Sequence, residues 1–135
     1  MRILSGIVVV TALLQLAPAC AQGPGKVAPA VQKEFDGFIA RFRAALKAND
    51  ATAVAALTRL PFMADNTVRD VAQFRAKAYP RDFTAKNRAC LQRSKPVHAV
   101  DGNKNDVYSV ICGESIFTFT RTPAGFLFTD LDTND

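Results

Sequence analysis

Apolar residues recur at three- and four-residue spacing over positions 31–47: Val31, Phe35, Phe38, Ile39, Phe42, Ala45 and Leu46, with Lys33, Glu34, Arg41, Arg43 and Lys47 between them. That period puts the two sets on opposite sides of a helix of about four turns, and the broad aromatic stripe suits packing across the concave face of a sheet. Asn49 and Asp50 interrupt the pattern, and Asp50 is placed to cap a shorter helix over 50–58 carrying Val54, Ala55 and Leu57. Pro61 closes that stretch, and Leu60 to Met63 reads as a short extended edge. After the turn Asp65-Asn66-Thr67, the spacing of Thr67 and Asp70 resembles a capping box. Val68, Val71, Phe74 and Ala78 then predict a helix over 67–79 that stops at Pro80. A last short helix is expected from about 84 to 91, with Cys90 near its end.

From Pro96 onward the period changes to two. Val97, Ala99 and Val100 mark one strand, and Asp101-Gly102-Asn103-Lys104-Asn105 is a hairpin turn rich in residues that tolerate positive φ. Val107 to Cys112 is a second strand and Ser115 to Arg121 a third, where β-branched and aromatic residues alternate. Thr122-Pro123-Ala124-Gly125 turns again before Phe126 to Leu131. Helices first and an antiparallel meander afterwards predict an α+β domain, with the helices packed on one face of the sheet.

The start of the chain follows another order. Met1 and Arg2 give a short positive region, Ile3 to Leu16 carry no charge, and Pro18 and small residues follow. Export machinery uses that order, and Ala19-Cys20-Ala21 has the form of a signal-peptidase site, so residues 1–21 are expected to be a cleaved signal peptide with Gln22 as the mature N-terminus. A permanent anchor is the poorer reading, because the apolar run falls short of the ~20 residues that span a bilayer. Cys20 opens an alternative, lipidation, in which it becomes the acylated first residue and holds the protein at a membrane; Leu16-Ala17-Pro18-Ala19 matches a lipobox only loosely. Residues 22–29, with two glycines and two prolines, are read as a flexible lead-in to a single domain over 30–135.

Either fate of the leader takes Cys20 out of the disulfide count and leaves Cys90 and Cys112, an even number that reads as a bridge in an oxidising compartment, periplasmic or secreted. The loop closed would be worth about 3–3.5 kcal/mol in the chain-entropy model. Two distant cysteines and one histidine do not make a metal site, and no cofactor motif is present. The formal net charge of +5, of which Arg2 lies in the leader, is spread along the chain. Outside the cytoplasm it implies a mild preference for anionic partners over nucleic acid.

Taken in order, the aromatic helix 31–47, the short helix 50–58, the helix 67–79 and the meander 96–132 resemble the nuclear-transport-factor-2-like (cystatin-like) fold. More narrowly, the segment LTRLPF (Leu57 to Phe62), a later cysteine and the tail ICGESIFTFTRTPAGFLFTDLD resemble small exported bacterial proteins of unassigned function. The resemblance implies a cone whose open end holds a small apolar ligand, and relatives that include isomerases and dehydratases using Asp, Tyr and His there. A truncated first hairpin within 60–66 is where this chain departs from the pattern.

The candidates for chemistry are few. His98 sits on a strand near a turn, with Asp101 and Asp106 close in sequence but not shown to face it, and is expected at the surface. Tyr108 alternates with Val110 and Cys112 and reads as core; Tyr79 is the other tyrosine. Phe35, Phe38 and Phe42 are expected in the core, though they are also spaced to line a cavity. No nucleophile elbow or phosphate loop occurs. The expected function is a noncatalytic envelope binding module for a protein, a peptide or a small apolar ligand, with an inhibitor or immunity-type role included. The alternatives are a pocket enzyme of the isomerase or dehydratase kind and a structural envelope component.

Overall fold

The computed structural model describes residues 25–134. The expected leader, its cleavage point after Ala21, Cys20 and most of the lead-in lie outside these residues. Five helical segments precede four strands: α1 (Pro29–Lys47), α2 (Ala51–Ala56), α3 (Val71–Gln73), α4 (Tyr79–Asp82), α5 (Ala85–Arg93), then β1 (Val97–Val100), β2 (Asp106–Cys112), β3 (Ser115–Thr122) and β4 (Gly125–Thr133). A π-helical turn, Phe74–Ala78, joins α3 to α4. The strands form one antiparallel sheet in the order β1-β2-β3-β4, and the helices pack on its concave face, the α+β architecture expected.

α1 buries the seven apolar positions of its stripe. Pro29 lies in its first turn, where a missing N–H costs nothing, and Val27, within the expected flexible lead-in, is half-buried against the core. Asn49 takes a positive φ of 50° to reverse the chain, and Asp50 caps α2 by accepting from the Ala53 N–H at 2.9 Å.

Three local expectations are corrected. The first concerns the segment 60–63, which is not a strand: Leu60–Pro61 is a cis peptide, and a proline has no N–H to give a ladder. The extended contact lies just before it, where Thr58 bridges Phe128 in parallel; the Arg59 N–H donates to the Phe128 carbonyl and the Phe128 N–H to the Leu57 carbonyl, both at 2.8 Å. The second is the helix start, which falls later than Thr67. The Thr67 N–H and hydroxyl both donate to Asp65 Oδ1, at 2.9 and 2.6 Å, while Asp70 is the cap, accepting from the Gln73 N–H at 2.8 Å as Gln73 Oε1 accepts from the Arg69 N–H at 2.7 Å. Val71 is consequently exposed. The third is the helix end, since the chain stays helical past Pro80. The Tyr79 N–H reaches back five residues to the Phe74 carbonyl, and such a widened turn accommodates a ring that a regular helix interior rejects.

The sheet's inner face alternates as read. Tyr108, Val110, Cys112, Phe117, Phe119, Phe126 and Phe128 all point at the helices and are buried. A register shift at Thr118/Phe119 bends β3 against β4, as β-bulges do. The resulting hollow is filled: all ten phenylalanines of the chain are buried. Phe42 meets Phe119 edge-on at 5.1 Å and Phe83 at 6.0 Å, while Phe83 meets Phe128 at 5.4 Å, geometries that add to simple burial. The polar groups within this core are satisfied. Thr58 donates to the Val54 carbonyl at 2.8 Å, Thr129 bonds Thr120 at 2.7 Å, and Asp82 accepts a two-pronged contact from Arg81.

Cys90 of α5 and Cys112 at the end of β2 are joined by a disulfide, with Cα atoms 5.9 Å apart. It ties the last helix to a central strand. No helix among the described residues is long and apolar enough to cross a membrane.

Candidate functional site

Sending Phe35, Phe38 and Phe42 into the interior turns the neighbouring stripe of α1 towards the β1 edge of the sheet. That stripe is Gln32, Asp36, Ile39 and Arg43, one residue per turn. Lys95, Pro96 and His98 form the opposite wall, and Phe35 and Tyr108 the floor, enclosing an open groove of about 270 Å³. A wider hollow of about 440 Å³ near Glu34 and Arg121 is a weaker candidate. Three of its four charged groups are engaged with one another, Arg121 with Glu34 at 2.8 Å and with Asp106 at 3.9 Å, and binding sites are generally built on apolar floors with a few convergent polar groups.

The floor is rigid. Tyr108 stacks face to face on Phe35, with ring centroids 3.6 Å apart and planes within 4°. Its hydroxyl donates to Gln32 Oε1 at 2.8 Å, and Gln32 Nε2 donates to Asp36 Oδ1 at 2.7 Å. Burial raises the Tyr108 pKa, helped by the Asp36 and Asp106 carboxylates, so the hydroxyl stays protonated and the donor role is secure at neutral pH. Tyr108 is core, as expected, and also part of the floor of the site.

His98 is not the surface group expected. Its side chain is 16% exposed, Nε2 lies 2.9 Å from Asp106 Oδ1, and its ring sits edge-on to Tyr108 at 5.0 Å. The contact was latent in the hairpin. A turn over 101–105 pairs His98 with Tyr108 and Val100 with Asp106, and residues two apart on a strand share a face. His98 and Asp106 are therefore diagonal neighbours. Asp101 does something else: its carboxylate accepts from the Asn103 and Asn105 N–H groups at 2.9 Å each and holds the turn.

Cations gather at the far end of the groove. Arg43 donates to the Leu91 carbonyl at 2.8 Å and the Ser94 carbonyl at 2.7 Å, closing the C-terminal end of α5 as basic groups do. Lys95 next to it is exposed. Other candidates lie elsewhere. Tyr79 donates to Asn49 Oδ1 at 2.8 Å on the α2 side, Phe38 and Phe42 are core, and Cys90 and Cys112 are bridged. Among the described residues no group of three or more His, Cys, Asp or Glu side chains is arranged to hold a metal ion.

The groove thus offers an apolar floor, hydrogen-bonding groups at the Gln32–Tyr108–His98 end and positive charge at the Lys95–Arg43 end. His98 with Asp106 has the form of a base and its orienting partner, while the nearest hydroxyl, Tyr108, is committed to Gln32. In comparisons with known proteins, no family model matches the chain, and no curated protein or solved structure is significantly similar to it.

Proposed function

We propose that this protein is a noncatalytic binding module of the cell envelope, exported by its N-terminal signal and stapled by Cys90–Cys112, and that it takes its ligand in the groove between α1 and β1. One observation carries the reading: the hollow of the sheet, where a pocket enzyme would need room for substrate, is filled by buried phenylalanines. A groove with an apolar floor of Phe35 and Tyr108 and a polar rim stays open at the sheet's edge. The disulfide fits an oxidising compartment. The element order supports a nuclear-transport-factor-2-like assignment as part of the same proposal, with the cone closed by its own side chains. In an amide-resolved NMR titration against short peptides and amphipathic carboxylates, saturable shifts should centre on Ile39, His98 and Tyr108. A panel that leaves these residues unmoved at millimolar concentration overturns the reading.

A second reading, an enzyme of the isomerase or dehydratase kind, draws on the His98–Asp106 contact beside Tyr108. It needs a substrate proton within reach of His98. Conversion of a groove-bound compound, abolished by His98→Ala and by Asp106→Asn with binding retained, would establish it.

A further inference from the structure

We propose that the groove's ligand is an extended peptide that adds to the open edge of β1 as a fifth strand, seating an apolar side chain on the Phe35–Tyr108 floor and a carboxylate at Lys95. This rests on the reading of the groove as the binding site and names its occupant.

The two edges of the sheet are treated differently. The β4 edge is covered, because Leu57 and Arg59 take up the Phe128 N–H and carbonyl. The β1 edge has no strand beside it among the described residues. The Asp101 N–H donates inward to the Asn105 carbonyl at 3.0 Å, and antiparallel pairing alternates, so Val97 and Ala99 spend their backbone groups on β2 while His98 and Val100 turn theirs outward. These are the groups a docking strand uses. Val97 and Val100 beside them are 64% and 59% exposed, an unusual state for two valines on one short strand.

The groove lies where the side chains of an added strand would fall. His98 shares the inner face with Tyr108, so alternate residues of a strand beside β1 point towards α1, between Ile39 and the Tyr108 ring. From Gln32 to Arg43 the helix rises about 16 Å, roughly the length of five strand residues, which gives two or three inward side chains. An isolated small molecule would use the floor but leave the outward N–H and carbonyl groups of His98 and Val100 unused. Charge fixes the polarity. Lys95 stands at one end beside Arg43, whose guanidinium holds the Leu91 and Ser94 carbonyls, and the acidic group on the wall, Asp36, lies about two helical turns from Arg43 towards Gln32. The complementary ligand therefore carries an acidic side chain or a C-terminal carboxylate at the Lys95 end.

The probes are fluorescein-labelled hexapeptides of alternating threonine and apolar residues ending in aspartate, with the inward residue varied through valine, leucine, phenylalanine and tyrosine. They are titrated into the protein purified with its disulfide intact. At least one probe should bind saturably, with amide exchange at His98 and Val100 slowed tenfold or more. N-methylating the probe on the edge facing β1 should weaken binding at least tenfold. Lys95→Glu should weaken the acidic probe at least fivefold but not a probe ending in lysine. Val100→Pro removes an outward N–H and leaves the β2 ladder intact, so it should abolish binding with circular dichroism and Tm preserved; if it unfolds the protein, the probe methylation and Lys95→Glu still decide. Equal binding of the N-methylated probe overturns the proposal, as does silence from every probe at millimolar concentration. So does a doubling of mass with protection at His98 and Val100, which would make a second copy the occupant. Octanoate shifting Phe35 and Tyr108 while no peptide binds would sink the peptide but keep the groove as a binding site. No response to either class would sink both readings.

Discussion

The two flanks of α1 meet the same sheet with opposite results. On one flank Phe38 and Phe42 interlock with Phe83, Phe119 and Phe128, and the adjacent β4 edge is covered by residues 57–59. On the other flank Gln32, Asp36, Ile39 and Arg43 face β1 across a groove, and β1 has no strand on its outer edge among the described residues. Phe35 serves both, buried at 1% exposure yet stacked under the ring of Tyr108. The filled flank holds the fold together and leaves no space for a ligand. The open flank buries Ile39 and the Phe35–Tyr108 stack, and Tyr108, Gln32 and Asp36 hold one another in place above them. The packed interior and the open groove thus fall on different stripes of one helix.

That separation is breakable by mutation. Phe38→Ala on the filled flank should cost about 3–5 kcal/mol, the range for truncating a buried aromatic, read as a drop in the urea midpoint. Lys95→Glu on the open flank should stay within about 0.5 kcal/mol of wild type, as exposed positions usually do. If the two costs are similar, the flanks are not distinct. Removing the staple comes next. Cys112→Ala should cost about 2–5 kcal/mol, the range for native disulfides in small secreted domains, and a thiol assay on unreduced denatured protein should find Cys90 and Cys112 unreactive. Two free thiols there would leave the attachment of α5 to β2 to packing alone.

A smaller effect separates the floor of the groove from its frame. Tyr108→Phe keeps the stack on Phe35 and deletes the hydrogen bond to Gln32, so it should cost about 0.5–1.5 kcal/mol. A loss as large as that of Phe38→Ala would mean that Tyr108 belongs to the filled flank after all.

How far each flank was legible in the sequence follows from the range of its interactions. The seven buried positions of α1 and the alternation through β2, β3 and β4 are local periodicities, and they placed both elements and the core. The bridge from Thr58 to Phe128 was not legible, because it joins residues 70 apart in the chain whose pairing depends on the whole fold. Nor was the π turn, which lets helix continue through a proline that ordinarily stops it. His98 with Asp106 was legible only through the register of the β1–β2 hairpin, and intrinsic preferences for the surface gave the wrong exposure. The groove itself arises where a second stripe of α1 meets a strand edge, and no spacing within either segment encodes that meeting.

The smallest expected effect concerns pH, and it tests how the covered flank is clamped. Arg81 donates to Asp65 at 2.7 Å and to both oxygens of Asp82, at 2.7 and 2.8 Å, pinning the irregular segment before α3 to the end of α4. The Arg81 bond, with help from Thr67, holds the Asp65 carboxyl far below its ordinary value of 3.8. A carboxylate whose folded pKa is depressed stabilises the fold above its unfolded pKa and loses that contribution as pH falls through the folded value. Arg81 is half exposed and Asp65 lies near the surface, so solvent screens the pair and the contribution is modest. Asp101, lowered by its Asn105 and Asn103 contacts, acts in the same sense at the open flank, whereas Asp130, raised by burial, opposes both. Asp65→Asn should therefore lower Tm slightly at pH 7, with the difference from wild type shrinking steadily as pH is taken below about 4. High salt should narrow the gap at pH 7 as well. A difference between the two proteins that does not change from pH 7 to pH 2 would show that the side chain acts through the Thr67 turn and not through its charge.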